Sequence, residues 1–465
     1  MASVHSKTGT LDSVEVILDC DELGRADPRG FILGNNQTTK QLEQAGAFGL
    51  DTHLRSLEAA SPASQDAHIN AHVDFEVLHT RGWGDGPTGS IGTFRCREVS
   101  FRRAFPDRKP GDLRHVTFFM GGPTRHWHCN SRTETSFTGD VTVTVQNQQL
   151  PLDLSLPFDV TVRPHYFHAR PADGHRLTDR VISLAAETRQ SRDELSDQAL
   201  IADATSIADD ICLLMSFAAS ARVDWYWRRF ACGDGYADDY RDIRTRQDGH
   251  RDWQDTPVRA HETRDFLRSS LPRLVALRGD GLDLRLAMLH VIGSNETRVL
   301  EERFLGLFLA LEQLKDSYAA RHGHEEILPD STFRHLRRRL RDTMAKASSD
   351  ADSGITITDD QLELFRRKLP DLNRPSFWDV LQKLLAEYGV KWRDIYPSEA
   401  ELTRPRFIGL RDKLVHSGRT DSIEALYFET LRLEGVVERL ILTMLGQNAR
   451  SSPRAYFLLS QKMGD

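Results

Sequence analysis

The spacing of apolar residues along this chain changes near residue 192. Before it, residues 13–19, 71–78 and 139–145 alternate apolar with polar at period two, as half-buried strands do. Residues 116–120 and 152–162 read the same way. Gly- and Pro-rich turns separate them, notably 82–92 and 121–123. Several short strands punctuated like this predict a sandwich or barrel-like sheet.

After residue 192 the period lengthens to that of a helix. Residues 195–221 place Leu200, Ile207, Ile211, Leu214 and Phe217 on one stripe, and 223–227 form a short aromatic strand able to rejoin the sheet. Residues 233–256 are polar, aperiodic and rich in Gly, Asp and Arg, which predicts a long loop. The rest is helical. Residues 296–321 put Leu300, Phe304, Leu307, Phe308, Leu311, Leu314 and Tyr318 on one stripe, with Gly293–Asn295 as the expected start. A basic helix is expected over 333–346, a flexible break over 347–354, and shorter helices over 359–369 and 376–388. The last long helix opens at Asp421 with a carboxylate-to-Glu spacing of the capping-box kind and runs through Leu426, Leu433, Val436, Val437, Leu440, Ile441 and Met444. The expected fold class is α+β. A β-rich domain over 1–255, with a helical segment near 192–222, precedes an all-α bundle over 256–465.

Composition narrows the function classes. At 465 residues two domains are the default. A net charge of −7 gives no global pull on nucleic acid, so any such contact must come from local basic clusters. The five cysteines (Cys20, Cys96, Cys129, Cys212 and Cys232) lack CxxC spacing and read as idle thiols of a reducing compartment. The first residues carry no apolar leader, and no apolar run reaches the ~20 residues of a membrane span. The expectation is a cytoplasmic protein with no membrane contact.

Four Arg/His pairs share one spacing: Arg163/His168, Arg170/His175, Arg285/His290 and Arg411/His416. Arg supplies a planar, permanent cation and His a group that titrates near neutrality, which together suit phosphodiester chemistry. Context separates the four. Pro follows Arg163 and Arg170, and apolar residues fill the interval after Arg285, as in a core-packing helix. Only Arg411 is followed by a polar residue, Asp412, and leads through His416 into a Ser-Gly-Arg break and the last helix. Five helical residues turn the two side chains about 140° apart. A purely structural alternative has Arg411 pairing with Asp412 or a neighbouring helix while His416 caps a turn.

Other clusters are weaker. Arg334, Arg337, Arg338 and Arg341 on the basic helix are candidates for an RNA backbone, or simply a solvated helix face. Residues 125–129 hold two His and a Cys but no second ligand cluster at standard spacing, so neither a metal nor another cofactor is expected. The 82–92 stretch lacks a phosphate-loop ending and reads as a hairpin.

A helical bundle carrying Arg, a polar residue, three further residues and His ahead of its last long helix resembles the HEPN superfamily, many of whose members are metal-independent ribonucleases. Residues 304–314 look like that family's first core helix, with Glu312 at the edge of the apolar stripe. The whole order resembles the ApeA-like group of bacterial anti-phage proteins. The resemblance implies Arg411, His416 and Asp412 as catalytic residues and Glu312, Lys413 and Arg419 as supporting ones. It also implies RNA as substrate, a homodimer through the HEPN domain and a phage-derived trigger at the N-terminal domain. The family often has Asn where this chain has Asp412, which makes the site more acidic. The alternative is a non-catalytic HEPN interaction protein that binds a protein or nucleotide ligand.

Overall fold

The computed structural model describes residues 2–5, 10–19, 29–34, 56–60, 68–74, 90–102, 113–121, 131–135, 141–145, 150–154, 158–167, 181–190, 196–232, 235–241, 256–349, 357–390, 395, 405–418, 420 and 422–448. Across these the chain is mixed α+β, with an antiparallel sheet in its N-terminal part and helices after it. It divides into two compact units, Met1–Pro272 and Arg273–Asp465. The division falls at Pro272, inside the helix Thr263–Gly279; the end of the polar stretch over 233–256 suggests residue 255.

In the first unit twelve of the described strands form one sheet, and Ser131–Thr135 pairs with Val141–Val145 in a separate two-stranded one. Arg114–Gly121 lies between Val181–Gln190 and Asp224–Cys232, antiparallel to both. The aromatic strand therefore does return to the sheet. Val116, Phe118 and Met120 are buried at alternate positions, as period two requires, and Phe118 meets Trp225 edge-on at 5.5 Å.

Helix α1 (Asp197–Ala219) begins at Ser196, whose hydroxyl accepts the Ala199 N–H at 3.2 Å. It packs on this strand pair through the stripe read from the sequence. Trp225 Nε1 donates to Asp209 at 2.9 Å, and Arg228 Nη1 donates to Thr205 at 2.9 Å. Ser216 ties the helix end to the next strand: its hydroxyl donates to the Cys212 carbonyl at 2.7 Å and accepts the Val223 N–H at 2.8 Å.

The stretch expected as a loop over 233–256 contains a strand, Gly235–Arg241, paired with Asp224–Cys232 and with Ser90–Arg102. Its acidic centre hid it. Asp238 is 3% exposed and accepts from Arg229 at 2.7 and 2.8 Å, while Asp239 accepts from Arg228. Cross-strand charge pairing satisfies what looks like loop chemistry in one dimension.

The remaining helices are α2 (Thr263–Gly279), α3 (Arg285–Glu296), α4 (Leu300–His322), α5 (Asp330–Ser349), α6 (Asp359–Lys368), α7 (Phe377–Glu387), α8 (Arg406–Ser417) and α9 (Ile423–Met444). Helix α4 is central to the second unit, packing against α3, α7, α8 and α9. Its stripe buries Phe304, Leu307, Phe308, Leu311, Leu314 and Tyr318, about 1.5–3 kcal/mol for each large side chain.

Gly293–Asn295 does not start α4. These residues close α3, where Ser294 Oγ donates back to the His290 carbonyl at 2.6 Å. That hydroxyl lies against Gly306 of α4, where a Cβ would collide with it, so the glycine permits the close approach.

Helix α5 continues to Ser349, into the expected break, and residues 350–354 lie outside the described ones. Helix α6 opens on a complete capping box, Thr358 with Gln361. The amide of Asn373 answers both backbone groups of Leu328 at 2.9 Å, stapling the α4–α5 connection to the turn before α7.

Helix α9 is capped by Ser422, whose hydroxyl accepts the Ala425 N–H at 3.1 Å; Asp421 lies outside the described residues. Every stripe residue expected on α9 is buried. Its Glu434, fully buried, is held by Arg303 of α4 at 2.5 Å.

The candidate site on helix α8

Arg411 and His416 lie on one helix, α8, which ends before the last long helix begins. Pro405 precedes the first turn of α8, and Gly418 closes the last in the left-handed region (φ 63°), donating to the Leu414 carbonyl at 2.9 Å. The core side of α8 is set by Phe407 and Leu414, both buried. Arg411, four residues after Phe407, sits about 40° from it around the axis. His416, two residues after Leu414, is turned about 160° from that side, and it is exposed.

Arg411 is held on three sides. Its Nη2 lies 3.7 Å from Glu312 of α4, its Nη1 lies 3.2 Å from Asp412, and Cζ sits 5.4 Å over the Phe308 ring. Phe308 in turn packs on Phe407 at 6.2 Å and stacks on Phe377 of α7 at 5.1 Å. Glu312 and Phe308 are one turn apart on α4, so one helix face presents both the ring and the carboxylate. About a third of Arg411 remains exposed, so each ion pair contributes at most about 1 kcal/mol and the contact on the ring about as much again. The arrangement orients a guanidinium more than it stabilises the fold.

The other expected residues are dispersed. Asp412 pairs with Arg411 beside it, and Lys413 is exposed on the far side of α8. Arg419 lies outside the described residues. On the largely exposed helix α5, Arg334 pairs with Asp330 and Arg338 Nη2 lies 3.3 Å from His335. Arg337 lines a separate pocket with Lys315, Phe333 and Arg374, and Arg341 is exposed. Residues 125–129 and 82–89 lie outside the described residues.

The sequence places Phe308 on the apolar stripe of α4 and does not single out Phe377. Their added part is to carry cations, since Lys315 Nζ also lies over the Phe377 ring at 5.2 Å. The available signal was Phe308 standing four residues before Glu312.

At the far end of α4 a second cluster joins Tyr318, His322 and Glu387. The Tyr318 and His322 rings lie 4.4 Å apart, and His322 Nε2 is 3.5 Å from Glu387. Burial, then the Glu387 carboxylate that its hydroxyl meets, pushes the Tyr318 phenol up to about 12. Burial and the same carboxylate also raise Tyr388, against the lowering effect of Arg321 and Arg273.

Among the described residues no helix is long and apolar enough to cross a membrane. No family model, curated protein or solved structure matches the chain.

Proposed function

We propose that this protein is a metal-independent endoribonuclease of the HEPN kind, acting in bacterial anti-phage defence as a homodimer through its helical unit. The observation that carries the reading is the guanidinium of Arg411, fixed by Glu312, Asp412 and Phe308 yet one-third exposed, on the helix that presents His416 to solvent. RNA brings its own nucleophile. The 2′-OH attacks the adjacent phosphorus, forming the 2′-O–P bond as the P–O5′ bond breaks. A base takes the 2′ proton and an acid returns one to O5′. His416 fills either role, worth about 10²–10⁴ in rate, and Arg411 stabilises the crowded phosphoryl oxygens.

Because the two side chains diverge on one helix, two facing copies of α8 supply both an acid and a base in a two-fold cleft. Release of Arg411 from Asp412 would then accompany phosphate binding. The products are a 2′,3′-cyclic phosphate and a 5′-OH. The N-terminal unit would sense the trigger.

The test is RNA incubated with the full chain in excess EDTA. Wild type cleaves and leaves cyclic phosphate ends, while His416→Ala is inactive with an unchanged melt. Activity that requires added metal, or that survives in His416→Ala, rules the mechanism out. The pairing of Arg411 with two carboxylates favours one other reading, a non-catalytic interaction module. Intact RNA at high dimer concentration, with a tight protein partner, would decide for it.

A further inference from the structure

Helix α8 has a third side, distinct from its Arg411 flank and its core flank. Arg406, Gly409, Leu410 and Lys413 recur at helical spacing, and they line a cleft with Ala425, Phe428 and Arg432 of α9. The cleft measures about 740 Å³, within the ordinary range for small-molecule sites. A Cβ built at Gly409 would meet nothing within 4 Å, so bare backbone forms part of its wall.

We propose that this cleft is a subsite for one nucleotide of single-stranded RNA, flanking the bond cleaved at Arg411/His416; the inference rests on the ribonuclease reading above. Leu410, Ala425 and Phe428 offer an apolar, partly aromatic surface of the kind on which a base stacks. Arg406 and Lys413 bring cations to the same walls, where a backbone phosphate can reach them. Of the two carboxylates present, Glu429 accepts from Arg432 at 2.8 Å, and Glu424 is exposed in the first turn of α9. The lining therefore keeps a net positive charge.

Position along α8 links the cleft to the chemistry. His416 follows Lys413 by three residues and lies about 60° from it around the axis, whereas Arg411 lies on the core flank. A nucleotide held here abuts the imidazole and leaves the guanidinium free for the scissile phosphate.

Gly409 makes the idea testable without disturbing the core. A fluorescein-labelled 2′-O-methyl RNA about ten nucleotides long cannot be cleaved through a 2′-OH, so its binding is read apart from activity. Gly409→Leu fills the cleft and removes a helix-interior glycine, so the melt should not fall. It should weaken binding roughly five- to hundredfold, the loss expected for one stacked base. Arg406→Gln should reduce the log–log salt slope of binding by about 0.7. Wild-type affinity in Gly409→Leu overturns the subsite even if wild type cleaves RNA. Affinity lost together with a shift from dimer to monomer in light scattering also overturns it, because the cleft would then seat a second copy. Cleft-dependent binding without cleavage by wild type leaves the subsite standing and removes the ribonuclease reading instead.

Discussion

Arg411 and Phe308 form a cation–ring pair, with the guanidinium carbon 5.4 Å above the ring centre. The ring belongs to the core of α4 and the cation to the surface of α8, so packing inside the unit fixes the plane of a group that faces solvent.

Arg411→Lys keeps the charge and loses the planar fork that Glu312, Asp412 and Phe308 hold. The expected result is a fall in the RNA cleavage rate of about a hundredfold, with stability changed by less than about 1 kcal/mol. Initial rates and a denaturant melt on the same preparation separate the two effects. Equal losses in both would make Arg411 a structural residue.

Gly306→Ala places a methyl group against Ser294 Oγ, where α3 and α4 approach most closely. The expected cost is about 1–3 kcal/mol. Adding Ser294→Ala should return part of it, because the colliding hydroxyl is gone. Urea unfolding of both variants measures this, and additive losses would contradict the contact.

Glu434→Ala leaves Arg303 facing an empty place in the core between α4 and α9. A loss of about 3–5 kcal/mol is expected from stranding one partner of a buried pair. Replacing both residues by apolar ones should cost less than the single change, as a double-mutant cycle would report.

The raised phenol of Tyr318 gives alkaline stability a definite sign. Its ordinary value is 10 and its folded value about 12, so the unfolded chain loses this proton first as pH rises. The contribution is complete below pH 10 and disappears as pH climbs through about 12. Tyr388 acts in the same direction. Melting temperature across that window should fall less steeply in Tyr318→Phe, and an identical slope would refute the assignment.

The helices were legible because burial and period coincide. The stripes on α1, α4 and α9 are buried where the 3.6 spacing puts them, except Leu300 at the start of α4, which is half-buried. The strand at Gly235–Arg241 was not, because Asp238 and Asp239 are answered by Arg228 and Arg229 on a neighbouring strand. The end of α3 is not legible in sequence, because Gly293 and Ser294 look like a start signal and the back-bond to His290 leaves no local trace. At the site, the Arg411/His416 spacing was readable and so was its divergence around a helix axis. The hold that Phe308 and Glu312 exert on Arg411 depends on how α4 crosses α8, and no local pattern encodes that crossing.

The divergence of Arg411 and His416 has a kinetic corollary. In the proposed pairing each chain carries half of two sites, so far below the dimer dissociation constant the rate should rise with the square of protein concentration. Such an enzyme has a threshold built into its geometry. A cell could carry scattered copies at little cost to its own RNA, and modest accumulation or clustering would switch cleavage on.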